Sequence, residues 1–284
     1  MFMRKYFRYG ILLTEFFWRR KFPIFLDYPI NPVPRYGYGK PPHKKLYELI
    51  NANSEVYKNY MTDFASQRSA FLRINHNKKS DSDLDPYLSN DFLPILDAYV
   101  QYSFLRINDP SQYFEIGSGE STKFARKAIG DFGLRTKITS IDPSPRSRID
   151  KLCDVLIRKS VEDINLDIFQ SLEKGDILFV DSSHRVFQNS DVTVCFLDII
   201  PYLKPGVFVH FHDIVLPWDY SQEYGGQRYY SELYLLAALI LGEGNRFEIV
   251  MPNYFVSQEP QFRNVLEKLN IGESSGSSFW IKMN

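Results

Sequence analysis

The 284-residue chain is 44% hydrophobic and 24% charged, which is enough apolar material for one large domain or a domain with an accessory region. Its 34 Lys and Arg balance its 34 Asp and Glu, so no global field draws it onto nucleic acid or an anionic surface. Its two cysteines, Cys153 and Cys195, lie in apolar runs and read as small core hydrophobes rather than a disulfide framework, which points to a reducing, cytoplasmic setting.

Residues 1–26 interleave Arg4, Lys5, Arg8, Arg19, Arg20 and Lys21 with aromatic side chains. The apolar run at 9–18 contains Glu15; a bilayer span needs roughly 20 residues, so this run is too short to cross one. No small-residue cleavage site follows it, and export is not expected. A basic aromatic segment of this kind is expected to dock on the body of the protein or on a second subunit, with peripheral membrane contact as the alternative. Residues 27–42 hold Pro29, Pro32, Pro34, Pro41 and Pro42 with Gly37 and Gly39, a loop rather than regular structure. Apolar spacing near 3.6 predicts helices over 44–74 and 92–104, with the polar stretch 75–85 as a mobile surface loop between them. Residues 1–107 therefore divide into a basic aromatic segment, a Pro-rich loop and a helical extension.

From 108 to 284 short apolar runs alternate with helical patterns, the texture of a parallel sheet covered by helices on both faces. Strands are predicted at 113–116, 138–141, 155–158, 177–180, 207–211, 247–250 and 279–282. Helices are predicted near 121–129, 147–152, 166–172, 190–203, 229–241 and 261–269.

The first of these strands runs into Glu115-Ile116-Gly117-Ser118-Gly119-Glu120-Ser121. Its glycines let the backbone approach a ligand, and Ser118 or Ser121 can cap the following helix. A bare structural turn would look the same. The second strand, however, closes on Asp142, 23 residues after Gly119, where a carboxylate can accept from both hydroxyls of a ribose. A nicotinamide dinucleotide wants that acid too, but its fingerprint needs a third glycine where this chain has Thr122. Glu115 would repel a diphosphate and suits a cationic amino-acid head group.

The text FEIGSGESTKFA, ITSIDPSPR, GDILFVDSSHRVFQNSDV, FLDIIPYLKPGVFVHFHDI and SSFWIK resembles the class I S-adenosylmethionine-dependent methyltransferases, specifically the bacterial methyltransferase-24-like group. The resemblance extends upstream through PRYGYGKPPH and YLSNDFLPILDAY. It implies a Rossmann-like seven-stranded α/β sheet with S-adenosylmethionine bound at Glu115, Gly117, Ser118, Gly119, Asp142, Asp181 and either Glu162 or Asp163. The departure is Glu120, where many relatives carry a glycine or small residue.

Two further strand ends carry titratable groups, Asp181 with His184 and His212 with Asp213. Both should face the cofactor edge, making Asp181, His184, His212 and Asp213 the expected reaction centre, with either histidine as general base. His210, flanked by Val209 and Phe211, is assigned to packing. Asp181, His212 and Asp213 also have the mixed oxygen and nitrogen character of a divalent site. In the macrocin type of O-methyltransferase, acids at corresponding strand ends hold magnesium, whose preference for oxygen ligands argues against it beside a histidine. S-adenosylmethionine without a metal is the expected cofactor set, with a divalent metal at Asp181, His212 and Asp213 as the alternative. Residues 216–230, with Trp218, Tyr220, Tyr224 and Arg228 and the pair Gly225 and Gly226, form either a substrate lid or a cover for the next helix.

The function expected from these residues is O-methylation of a small molecule or glycan unit, with homo-oligomerisation open. The alternatives are an NAD-dependent reductase or epimerase, and a non-catalytic scaffold that docks through its N-terminus.

Overall fold

The computed structural model describes residues 27, 30–78, 83–242, 246–272 and 275–284. The basic aromatic segment at 1–26, its docking and its membrane contact lie outside the described residues, as does the centre of the 75–85 loop. Residues Val33–Asn284 form one compact unit, separate from Met1–Pro32.

Among the described residues one sheet of seven strands organises the fold: β1 (Gln112–Ile116), β2 (Lys137–Ile141), β3 (Val155–Ile157), β4 (Ile177–Val180), β5 (Phe208–Phe211), β6 (Phe247–Pro252) and β7 (Phe279–Met283). Their spatial order is β3-β2-β1-β4-β5-β7-β6. β1 to β5 run parallel, while β7 slots antiparallel between β5 and β6. Ile177, Leu178, Phe179 and Val180 of β4 are all fully buried, as an apolar strand covered on both faces must be. The chain leaves β1 towards β2 on one side and returns to β4 on the other, which opens a crevice at the carboxyl ends of β1 and β4.

The helices are α1 (Lys44–Asn51), α2 (Ser54–Phe64), α3 (Arg68–Phe71), α4 (Ile95–Asn108), α5 (Glu120–Phe132), α6 (Asp191–Val194), α7 (Gln222–Gly226), α8 (Glu232–Leu241), α9 (Asn253–Gln258) and α10 (Arg263–Leu269). The pattern over 44–74 is broken after α1, where Asn53 donates its side-chain amide to the Ile249 carbonyl at 3.2 Å instead of continuing a helix. The helices expected near 147–152 and 166–172 are only 3-10 turns, Asp150–Leu152 and Leu166–Ser171. That expected at 190–203 exists, but α6 passes into a π-helical turn, Cys195–Ile199, and a 3-10 turn ending at Tyr202. Pro201, which has no N–H to give, accounts for the loss of regular helix there. Helices α7 and α9 lie in stretches where periodicity is too short to show.

The extension at 33–107 is not a separate layer. Phe104 of α4 lies 4.5 Å from Trp280 of β7 and 5.5 Å from Phe208 of β5, ring centroid to centroid. The sequence boundary at 107 therefore runs through a shared core. Cys195 is buried and Cys153 half-buried, both as free thiols. Among the described residues no helix is long and apolar enough to cross a membrane.

Candidate active site

The turn after β1 is shaped by what Gly117 must avoid. Its φ is +82°, and a Cβ placed there would lie 1.8 Å from the Asp181 carbonyl oxygen, so only glycine lets β1 and β4 run this close at their ends. Gly119 is extended, with nothing within 4 Å of the position its Cβ would take. Beyond it opens a cavity of about 320 Å³, lined by Gly117, Ser118, Gly119 and Glu120, by Asp142 and the loop after it, by Val161 and Glu162, and by Asp181.

Asp142 stands where the ribose acid was expected. Its Oδ2 accepts from Ser118 N at 2.9 Å and its Oδ1 from Ser144 N at 2.7 Å, which fixes the carboxylate at the cavity wall and joins the ends of β1 and β2. Of the two candidates near 162, Glu162 lines the cavity and Asp163 does not. Glu162 Oε2 is a buried oxygen with no hydrogen-bond partner among the described residues, and so is Glu120 Oε2. The other Glu120 oxygen pairs with Lys123 Nζ at 2.7 Å in a buried ion pair.

Glu115 is a correction. Expected against a cationic head group, it is fully buried behind the turn and is absent from the cavity wall. Its carboxylate accepts from the hydroxyls of Ser121, Thr122 and Tyr113. Burial pushes it up to about 7 against the pull of the Ser121, Thr122 and Ser118 hydroxyls. Its place is to brace the start of α5 from inside.

Of the four residues expected at the reaction centre only Asp181 is on the cavity wall, and around it the two predicted strand ends converge. Asp181 Oδ1 lies 3.2 Å from His184 Nε2 and 3.3 Å from His212 Nδ1. Asp213 Oδ2 is 3.6 Å from His184 Nε2, and its Oδ1 is 3.8 Å from His212 Nδ1. Two acids missed in the sequence complete the cluster. Glu232, at the start of α8, holds His184 Nδ1 at 2.9 Å. Asp97 of α4 lies 3.8 Å from His212 Nε2, with Ser277 Oγ between them at 3.2 Å from Asp97 and 3.3 Å from His212. Each was visible as a lone acid in an otherwise apolar helix, ILDAYVQYSF and ELYLLAALIL, a placement that burial makes costly without a partner.

Both imidazoles are buried with acceptor oxygens around both ring nitrogens. At His184, with carboxylate oxygens 3.2 Å from Nε2 and 2.9 Å from Nδ1, a neutral ring would turn a lone pair on one of them, so the geometry there selects the imidazolium. Burial pulls the His212 imidazole down, but the charges of Asp213 and Asp181 outweigh it and hold it at about 9. Burial likewise opposes a charge on His184, and the hydrogen bonds it donates to Asp181 and Glu232 lift it well above the ordinary value. Burial would raise Asp181, yet the two histidines keep its carboxyl well below the usual range. His184 and Asp213 both have positive φ, +59° and +55°, an uncommon backbone state for non-glycine residues that clusters at functional sites. Asp181, His212 and Asp213 offer one donor atom each within 4.8 Å of one another. His210, as expected, belongs to the packing: its Nε2 meets Ser278 Oγ at 2.6 Å and its ring stacks on Trp280 at 3.9 Å.

The first half of the 216–230 stretch is an anchor, not a lid. Trp218 covers Gly37 and meets Tyr254 edge-on at 5.4 Å, and Asp219 Oδ2 accepts from Arg35 N and Tyr36 N. Tyr220 is buried. The second half borders the cluster: Tyr230 lies 4.6 Å from His184 and 5.3 Å from Tyr224. Arg228 stacks on Tyr224 and pairs with Glu223 at 2.6 Å.

Residues 114–214 match the family model of a methyltransferase domain. The matched span contains β1 from Phe114 onward, β2, β3, β4 and β5, and the whole cavity wall except Phe92 and Leu93. No curated protein matches the chain. Among solved structures, the methyltransferase PaMTH1 of Podospora anserina with bound SAH is 16% identical over 88% of this chain and 100% of its own, at a TM-score of 0.42. The plantazolicin methyltransferase BpumL in complex with SAH is 12% identical over 84% of this chain and 99% of its own, also at 0.42. The acid–histidine cluster draws on both sides of the matched span, since Asp97, Glu232 and Ser277 all fall outside it.

Proposed function

We propose that the protein transfers a methyl group from S-adenosylmethionine to a hydroxyl oxygen of a small molecule or a glycan unit. The observation that carries this reading is the meeting of Asp142 and the glycine turn over one cavity, joined by the Ser118 N–H. The carboxylate keeps lone pairs for two ribose hydroxyls. The unpartnered oxygen of Glu162 suits an exocyclic amine of adenine. Backbone N–H groups at the start of α5 favour the carboxylate of the methionine moiety, and Asp181 brings negative charge towards the sulfonium end.

In methyl transfer the acceptor oxygen attacks in line, the carbon–sulfur bond breaks, and the hydroxyl proton must leave. Within the Asp181–His212–Asp213 cluster, His212 is the base. Held at about 9, it is a stronger base than a free histidine, at the expense of a smaller neutral fraction at pH 7. His184, hydrogen-bonded through both nitrogens to carboxylates, stays protonated and balances their charge. The three donors of the cluster also fit a divalent cation, which when bound would supply charge that lowers the pKa of an acceptor hydroxyl. Their mixed nitrogen and oxygen character suits a borderline metal better than magnesium.

The test is a titration with S-adenosylhomocysteine. Saturable binding is expected, weakened at least about tenfold in Asp142→Ala because two charge-assisted hydrogen bonds are lost. A wild-type protein that does not bind it is not a methyltransferase of this kind.

A further inference from the structure

The wall of the 320 Å³ cavity is drawn from Ile116 to Asp191 with two exceptions, Phe92 and Leu93, both from the N-terminal extension. Leu93 is a core residue at 2% exposure, but the Phe92 ring is 53% exposed. The backbone beneath that ring is pinned. Asn90 Oδ1 accepts from Phe92 N at 3.1 Å and Leu93 N at 2.7 Å, and the Asn90 amide donates to Tyr87 O at 2.9 Å. Pro94 then opens α4. Exposure alone is ordinary for a surface ring, but Phe92 is held on the wall of a cavity, where a ligand that fills the cavity would cover it. Glu120 and Glu162, each with one buried carboxylate oxygen that has no partner among the described residues, line the same cavity, as does Gly119, which has nothing within 4 Å of the position its Cβ would take. An apolar ring together with unsatisfied acceptors is the lining that a flat molecule with apolar faces and N–H or O–H groups at its edge requires.

We propose that Phe92 binds the nucleoside part of the methyl donor, so that the N-terminal extension completes the cofactor site and the matched methyltransferase domain alone does not. This rests on the S-adenosylmethionine reading above. The ring packs on the nucleoside when the cavity fills, and both surfaces leave water together. Because the ring is half in solvent without ligand, its removal affects binding and leaves the fold alone.

The full chain and its Phe92→Ala and Phe92→Tyr variants are titrated calorimetrically with S-adenosylhomocysteine and with 5′-methylthioadenosine, which keeps the nucleoside and lacks the amino-acid group. Phe92→Ala is expected to bind both about tenfold more weakly, and Phe92→Tyr to stay within about threefold of wild type. Without ligand, Phe92→Ala should melt within about 2 °C of wild type. Equal affinity of wild type and Phe92→Ala for S-adenosylhomocysteine overturns the proposal and leaves the methyltransferase reading standing. A loss seen with S-adenosylhomocysteine but not with methylthioadenosine overturns the nucleoside assignment. A large drop in the unliganded melting temperature makes the ring a packing element and overturns it as well. A wild type that binds neither probe removes the underlying reading and the proposal with it.

Discussion

As the proposed base, His212 meets two opposed demands. A base must give up its proton before it can take one, yet Asp213 and Asp181 hold the His212 proton up to about 9. The rate constant kcat/KM should therefore rise with pH and level off near 9, not near the 6.5 of a free histidine. Stability should move the other way. A histidine whose folded pKa is raised contributes fully below its unfolded value of about 6.5, and that contribution is lost as pH climbs to about 9, with a slope of up to about 1.4 kcal/mol per pH unit. The check is a pH–rate profile beside chemical denaturation at pH 6.5 and 9.5, for wild type and His212→Gln. A rate that is flat between pH 6 and 10 would remove His212 as the base. A limb that shifts on adding EDTA would pass the charge balance to a divalent cation.

At the scale of elements, the turn between β1 and α5 makes a sharp contrast between its two glycines. Gly117→Ala drives a methyl into the Asp181 carbonyl at a positive φ and should destabilise the protein by at least about 2 kcal/mol. Gly119→Ala, with open space around it and extended backbone, should leave unliganded stability within about 0.5 kcal/mol. Thermal melts of the two variants decide it; equal losses would mean that the close approach of β1 to β4 does not govern this turn. The turn was legible because its determinants are consecutive: an apolar strand, two glycines, a helix. The strand-end positions of Asp142, Asp181 and His212 were readable in the same way, since each follows an apolar strand. Glu115 was misplaced because strand alternation decides which way a side chain faces, and the three hydroxyls that claim it lie partly on the next helix. Glu232 and Asp97 could be noticed as odd acids in apolar helices, but nothing local says that they meet His184 and His212 from opposite sides.

For the whole molecule, the extension and the sheet share one interior. Phe104 packs on Trp280 and Phe208, and Asp97 accepts from Asn253 Nδ2 at 2.7 Å, Ser277 N at 2.7 Å and Ser278 N at 3.1 Å. A fragment of residues 108–284 would bare those rings and leave those donors unpaired, so it should fail to fold as a monomer, as read by near-ultraviolet circular dichroism and gel filtration. A well-folded, monomeric fragment would contradict that. The antiparallel strand β7 has its own bearing on activity. Ser277, two residues before β7 begins, bridges Asp97 and His212, so the hydroxyl reaches its post only once β7 has been seated between β5 and β6. Competence for chemistry thus coincides with closure of the sheet: a chain cut short of residue 277 could still present the glycine turn and Asp142 to a nucleoside, yet would be without the clasp on its base.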